Sequence, residues 1–154
     1  MATTQADVTI SMPRGASFVG DFAKIVKVNS SGQVVLAGGA AARSTDVVLG
    51  VIAEGTSESP SDVGTRTPPV GSAVSIAHIG GGGILKVRAG ASITAGQIVI
   101  PHASGTDAAG SVAGVADLGS LGQDQMGIGI AIESASAGDI FRFAAGYIAA
   151  PHTA

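Results

Sequence analysis

Apolar residues along this chain come in short runs, not in helical stripes. β-Branched and aliphatic positions dominate Phe22–Val28, Gln33–Ala37, Val47–Ala53, Ala73–His78, Ile84–Arg88, Gln97–Pro101, Ser111–Val115, Gly127–Glu133 and Asp139–Ala145. Glycine, serine, asparagine and proline fill the gaps, and runs of this length bounded by turn residues read as strands. Asn29-Ser30-Ser31-Gly32 is turn chemistry that returns one strand onto the next. Ile84–Arg88 is expected to follow Ala73–His78 as a hairpin across the glycines 80–83. Gly38–Arg43 is short and helix-tolerant, enough for one turn. No segment keeps an apolar 3.6-residue period over three turns, so little helix is expected. The predicted fold is mainly β, a small β-sandwich or β-barrel.

One phrase is used twice. Gly15-Ala16-Ser17-Phe18-Val19-Gly20-Asp21 leads into Phe22–Val28, and Gly90-Ala91-Ser92-Ile93-Thr94-Ala95-Gly96-Gln97 leads into Ile98-Val99-Ile100. Each is followed by a matching end, Leu49-Gly50-Val51-Ile52-Ala53-Glu54 and Ile128-Gly129-Ile130-Ala131-Ile132-Glu133. A repeated turn-then-strand unit predicts two pseudo-repeats, at about 15–55 and 90–135, within one β domain over 15–154. Residues 1–14 precede the first copy and read as an extended N-terminal arm. Residues 55–72, rich in Pro, Ser, Thr and Gly, form a long loop of the kind that is functional or mobile. Residues 116–124 form a second Gly-rich loop.

Composition bears on how such a body would behave. Only 12% of the 154 residues are charged, 3% are aromatic, and 24 are glycine. A core of Ala, Val and Ile buries little area per residue, at about 25 cal/mol per Å², so association with copies of itself would add needed burial. Net charge is −3, and the eight basic residues are scattered along the sequence, which argues against nucleic acid as a partner. Cysteine is absent, excluding disulfides and thiolate metal sites. Residues 1–10 lack the pattern of a signal peptide, and no apolar run approaches the ~20 residues of a spanning helix, so no membrane partner is expected.

Candidate chemistry is sparse. Gly80–Gly83 is followed by the strand-like Ile84-Leu85-Lys86-Val87, not by the helix and Lys-Ser of a phosphate loop. His78, His102 and His152 share no ligand spacing, and the nearest pairing, His102 with Asp107, is weak; no metal or cofactor is expected. Glu54 and Glu133 fall at matching places in the repeats and would be the acids of a paired-carboxylate enzyme. Without a nucleophile or binding aromatics beside them, strand-end capping is the preferred reading. Asp21, Gln97 and Asp139 each follow a glycine at a strand start, where their side chains can bond turn amides. No catalytic residue is assigned, and the chain is expected not to be an enzyme.

The turn-and-strand phrases Gly15–Val28, Val47–Gly55, Lys86–Pro101, Met126–Ser134 and Ser136–Phe143 together resemble the small Ala/Gly-rich capsid decoration (cement) proteins of tailed bacteriophages. The resemblance implies a structural virion protein, made in the host bacterial cytoplasm, that binds the outer head surface and bridges neighbouring capsomers. Its implied partners are the major capsid protein and copies of itself, as a homotrimer or, alternatively, a dimer. On exposure grounds the contacts are expected in the arm, at Val8, Ile10, Met12, Pro13 and Arg14, and in the long loop, at Pro60, Arg66, Pro68 and Pro69. A tail or baseplate accessory subunit would share these features, and a small β-barrel enzyme using Glu54 and Glu133 is the catalytic alternative. Residues 83–99 also look like the turn of biotinyl- and lipoyl-carrier domains, but Lys86 precedes that turn within a predicted strand and no lysine follows it.

Overall fold

A computed structural model describes residues 9–16, 18, 21–39, 46–53, 70–102, 109–122 and 125–150. They form a mainly β structure of two five-stranded antiparallel sheets. The strands are β1 (Thr9–Pro13), β2 (Ile25–Val28), β3 (Val34–Leu36), β4 (Gly50–Ile52) and β5 (Ala73–His78), then β6 (Ile84–Arg88), β7 (Ile98–Pro101), β8 (Val112–Val115), β9 (Met126–Ala131) and β10 (Ile140–Ala149). Among the described residues, helix is limited to the 3₁₀ turns Ile79–Gly81 and Leu118–Ser120.

The first sheet runs β1-β5-β4-β2-β3 and the second β6-β10-β9-β7-β8. Adding five to each label of the first order gives the second, so the chain consists of two modules of one topology. Each sheet curls until the residue after its first strand bridges, in parallel, the start of its far-edge strand: Arg14 to Val34 and Ala89 to Val112. The following amide closes the same bond in both, Gly15 N–H to the Val34 carbonyl at 2.8 Å and Gly90 N–H to the Val112 carbonyl at 2.7 Å. The doubled Gly-Ala-Ser phrase is the closing corner of each module. Two further landmarks repeat. Gly71 and Gly138 turn the chain into β5 and β10 with φ of 91° and 92°. Gly50 and Gly129 let the central strand pass against the carbonyls of Ala77 and Ala144.

The repeats are longer than the sequence phrases, running from β1 to β5 and from β6 to β10. Their register also corrects one detail. Ile25 pairs with Val51 as Ile98 pairs with Ile130, so Ala23, at φ 63°, stands where Gly96 stands at φ 90°. The counterpart of Gln97 is therefore Lys24, not Asp21, and the first loop is two residues longer. Gln97 does bond a turn amide, its Oε1 accepting from Thr94 N–H at 2.9 Å. Asp139 likewise accepts from Ser136 N–H at 2.9 Å, whereas Asp21 pairs with Lys24 Nζ at 2.7 Å.

Each sheet wraps its own apolar interior. In the first module this is Phe18, Val26, Val34, Ile52, Val74 and Ile76. The second module's counterparts, Ile93, Val99, Val112, Ala131, Phe141 and Phe143, belong to a larger cluster that also takes in Ile25, Ala37, Val48, Val51, Ala77 and Ile79 from the first. The outward face of the first sheet is thus buried against the second module. Backbone bonds cross the same junction: Ile25 N–H to Gly110 O at 2.8 Å, Gly110 N–H to Ala37 O at 2.6 Å, and Arg88 N–H to Ala23 O at 2.8 Å. The two modules are one packed body.

Two expectations fail here. Residues 9–13 of the supposed arm are not free but form edge strand β1, paired with β5 from Thr9↔Ala77 to Pro13↔Ala73. Alternation explains it: Ile10 and Met12 turn toward the first interior while Thr9, Ser11 and Pro13 face out. The β5–β6 hairpin is absent as well, because those strands lie in different sheets. The 3₁₀ turn buries Ile79 into the shared core, and Gly82 and Gly83, with φ of 73° and 82°, redirect the chain into the second module. The glycine run is the inter-module link.

Candidate functional site

The residues singled out from sequence scatter in space. Val8, Pro60, Arg66, Pro68, Pro69 and Glu54 lie outside the described residues, as do Ser17, 40–43, 55–69 of the long loop, Asp107 and His152. Ile10, Met12 and Pro13 lie along β1, with Pro13 exposed and the other two half-buried.

Arg14 was expected at an exposed contact and is fully buried. Its Nη2 donates to the Ala73 carbonyl at 3.0 Å, and its guanidinium sits 6.0 Å from the Phe18 ring centroid. Its backbone is fixed on both sides, N–H to Ser72 O at 2.9 Å and carbonyl from Gly71 N–H at 2.7 Å. Because Arg14 occupies the module position that Ala89 holds in the second copy, its side chain must point inward. It is a structural residue and leaves the contact set.

Glu133 is engaged. Its Oε2 accepts from Arg142 Nη2 at 3.0 Å and Nε at 3.2 Å, and its Oε1 accepts from the Arg142 backbone N–H at 2.7 Å. These bonds from Arg142, with the charges of Arg142 and Lys86, hold its carboxyl below the ordinary 4.5 against a smaller opposing effect of burial. An acid held ionised by a bidentate guanidinium is suited to fixing β9 against β10, not to giving up a proton. Among the described residues no group of three His, Asp or Glu is placed to hold a metal ion, and no helix is long and apolar enough to cross a membrane.

The surface feature that sequence reading missed lies around Glu133. On β6, Leu85 and Val87 are buried, so Lys86 and Arg88 lie on the other face, Lys86 exposed and Arg88 half-buried with its Nε shielded from solvent. Cross-strand register sets Lys86 opposite Arg142 and Arg88 opposite Ile140. On the other flank of β10, the Ile132 N–H donates to the Arg142 carbonyl at 3.2 Å. Ile132 is 42% exposed and Ile140 41%. The outward face of β6-β10-β9 therefore carries three cations, one carboxylate and two half-exposed isoleucines. The signal for it was present in Ile84-Leu85-Lys86-Val87-Arg88, where charge falls on alternate positions of one strand and so on one face. Counting basic residues along the sequence does not reveal that β10 adds a third.

At the other end of β10, the Tyr147 hydroxyl donates to the Val48 carbonyl at 2.6 Å and ties the second module to the first. Burial raises its phenol above the ordinary 10.0.

No protein-family model matches the chain, and no curated protein does. Among solved structures it is similar to the crystal structure of the head fiber gp8.5 N base in bacteriophage phi29, with 12% sequence identity and a TM-score of 0.46 over 90% of this chain and 93% of that one.

Proposed function

We propose that this chain is a non-catalytic structural subunit of a phage virion, a decoration protein that binds the outer surface of the head and stabilises it by bridging capsomers. The support is the resemblance of its turn-and-strand phrases to cement proteins, together with one structural observation. Both copies of the repeat are spent on building a single body with a shared core, and the acid once considered for catalysis is locked to Arg142. A stiff body with an exposed mixed apolar and charged face is suited to docking. Many modest contacts, multiplied by the symmetry of a head, would act together as a clamp. The partners in this reading are the major capsid protein and further copies of the chain, as a homotrimer.

Mixing purified protein with undecorated expanded heads and pelleting them tests the reading. The protein should co-sediment and raise the temperature at which the heads rupture. Protein left in the supernatant would overturn it in favour of another virion location, such as a tail or baseplate.

A further inference from the structure

We propose that the outward face of β6 and β10 is a docking surface for an acidic segment of a partner protein, one whose carboxylates alternate with aliphatic side chains. Three observations carry this. First, the charge is concentrated: Lys86, Arg88 and Arg142 share one face, with Glu133 as the nearby acid, on a chain whose net charge is −3. Second, the arrangement sets like charges side by side. Lys86 sits directly opposite Arg142, and like charges at cross-strand positions repel. Glu133 offsets part of this repulsion, through its bonds to Arg142 and the attraction between its charge and Lys86.

Third, the fold does not require these residues, because the first module supplies a control on the same backbone. By register, the counterparts of Lys86, Arg88, Ile140 and Arg142 are Ser11, Pro13, Ala73 and Ser75, all small or neutral. The second module has replaced each with a long cation or a large aliphatic. Ile140 stands beside Arg88 and Ile132 beside Arg142, so half-exposed apolar side chains and guanidinium groups alternate on one face, a mixture found at protein-binding patches. A nucleic acid fits less well: the Glu133 carboxylate would face phosphate, and no aromatic ring stands among the cations to stack on a base. A partner strand bearing glutamates or aspartates between aliphatic residues would satisfy Lys86 and Arg88 while covering both isoleucines. The identity of that partner as the head shell rests on the function proposed above; the chemistry of the surface does not.

The test uses the full chain, isotopically labelled, titrated with a short synthetic peptide alternating glutamate and valine and followed by amide chemical shifts. Shifts should concentrate at Lys86, Arg88, Ile132, Ile140 and Arg142, weaken with added salt, and show affinity lowered about tenfold or more in Lys86→Glu, Arg88→Glu protein. Lys86→Glu alone, at the exposed position, should keep the wild-type spectrum elsewhere and lower the affinity in the same direction, which keeps the test valid if the half-buried Arg88 does not tolerate substitution. Shifts that are absent, that spread to other faces, or that survive the double substitution would overturn the proposal, as would tighter binding of a single-stranded oligonucleotide at the same amides. Heads separate the two readings. A wild type that ignores heads but binds the peptide would remove only the head assignment. A double variant that decorates heads like wild type would remove the β6–β10 surface and leave the head assignment standing.

Discussion

Replacing Gly129 by alanine should destabilise the whole molecule by about 3 kcal/mol. A Cβ there would stand 2.2 Å from the Ala144 carbonyl oxygen and 2.6 Å from Phe143 Cδ2, at a φ of +155°. The carbonyl belongs to β10, which is paired on both flanks, so it cannot retreat without opening the ladder to β9 or β6. Overpacking of a core ordinarily costs about 1–3 kcal/mol, and a backbone obstacle puts this case at the upper end. For a chain of this length that lowers the melting temperature by roughly 6–12 °C. Gly50→Ala meets the same obstacle in the first module, 2.2 Å from the Ala77 carbonyl oxygen and 2.6 Å from Ile76 Cγ2. Gly146→Ala, with nothing within 4 Å, is the control and should change stability by less than about 0.5 kcal/mol.

Thermal and urea unfolding followed by circular dichroism would measure these effects. The shared core adds a sharper expectation, since substitutions in either module should shift one common transition. A Gly129→Ala protein melting within about 2 °C of wild type would refute the close approach of β9 and β10. Two separable transitions, each moved by only one of the substitutions, would refute the single body.

Two further outcomes follow from the same contacts. Glu133 has a folded-state pKa below its ordinary 4.5, so its bonds to Arg142 add stability above that pH and lose it as pH falls through the lower folded value. The melting-temperature advantage of wild type over Glu133→Gln should therefore be small at neutral pH, because the pair is solvent-exposed, and should vanish on acidification; an advantage that grows in acid would contradict the assignment. Tyr147 is the one tyrosine, so its ultraviolet titration can be read directly and should fall above pH 10.0. Tyr147→Phe should cost about 1 kcal/mol by orphaning the Val48 carbonyl, and an unchanged unfolding curve would count against this tie between the modules.

Much of the fold could be read in the residues because it is local. Runs such as Ala73–His78 and Ile84–Arg88 match β5 and β6 residue for residue, since alternation and turn chemistry act within a few positions. What pairs with what was less accessible. The hairpin across the glycines 80–83 was the natural reading of two adjacent strands, but Ile79 gains more by entering the shared core than by sitting in a solvent turn. The repeat had the means to correct the reading of Arg14. Arg14-Gly15-Ala16-Ser17 aligns with Ala89-Gly90-Ala91-Ser92, and an alanine at the matching place marks an interior position that the charge of arginine conceals.

That alignment separates residues that make the fold from residues that use it. Where the modules agree, as at Gly15 and Gly90, Gly50 and Gly129, or Gly71 and Gly138, the shared residue answers a shared backbone demand and carries no information about partners. Where they differ on the same backbone, the difference is not dictated by the fold. At Arg14 and Ala89 it is turned inward and stays a matter of packing. At Ser11 and Lys86, Pro13 and Arg88, Ala73 and Ile140, and Ser75 and Arg142 it is turned outward, and always from small or neutral to large or cationic. Four such changes gathered on adjacent strands of one face are what a second module free to specialise would show, while the first supplies Ile25, Val51 and Ala77 to the joint that holds the body together.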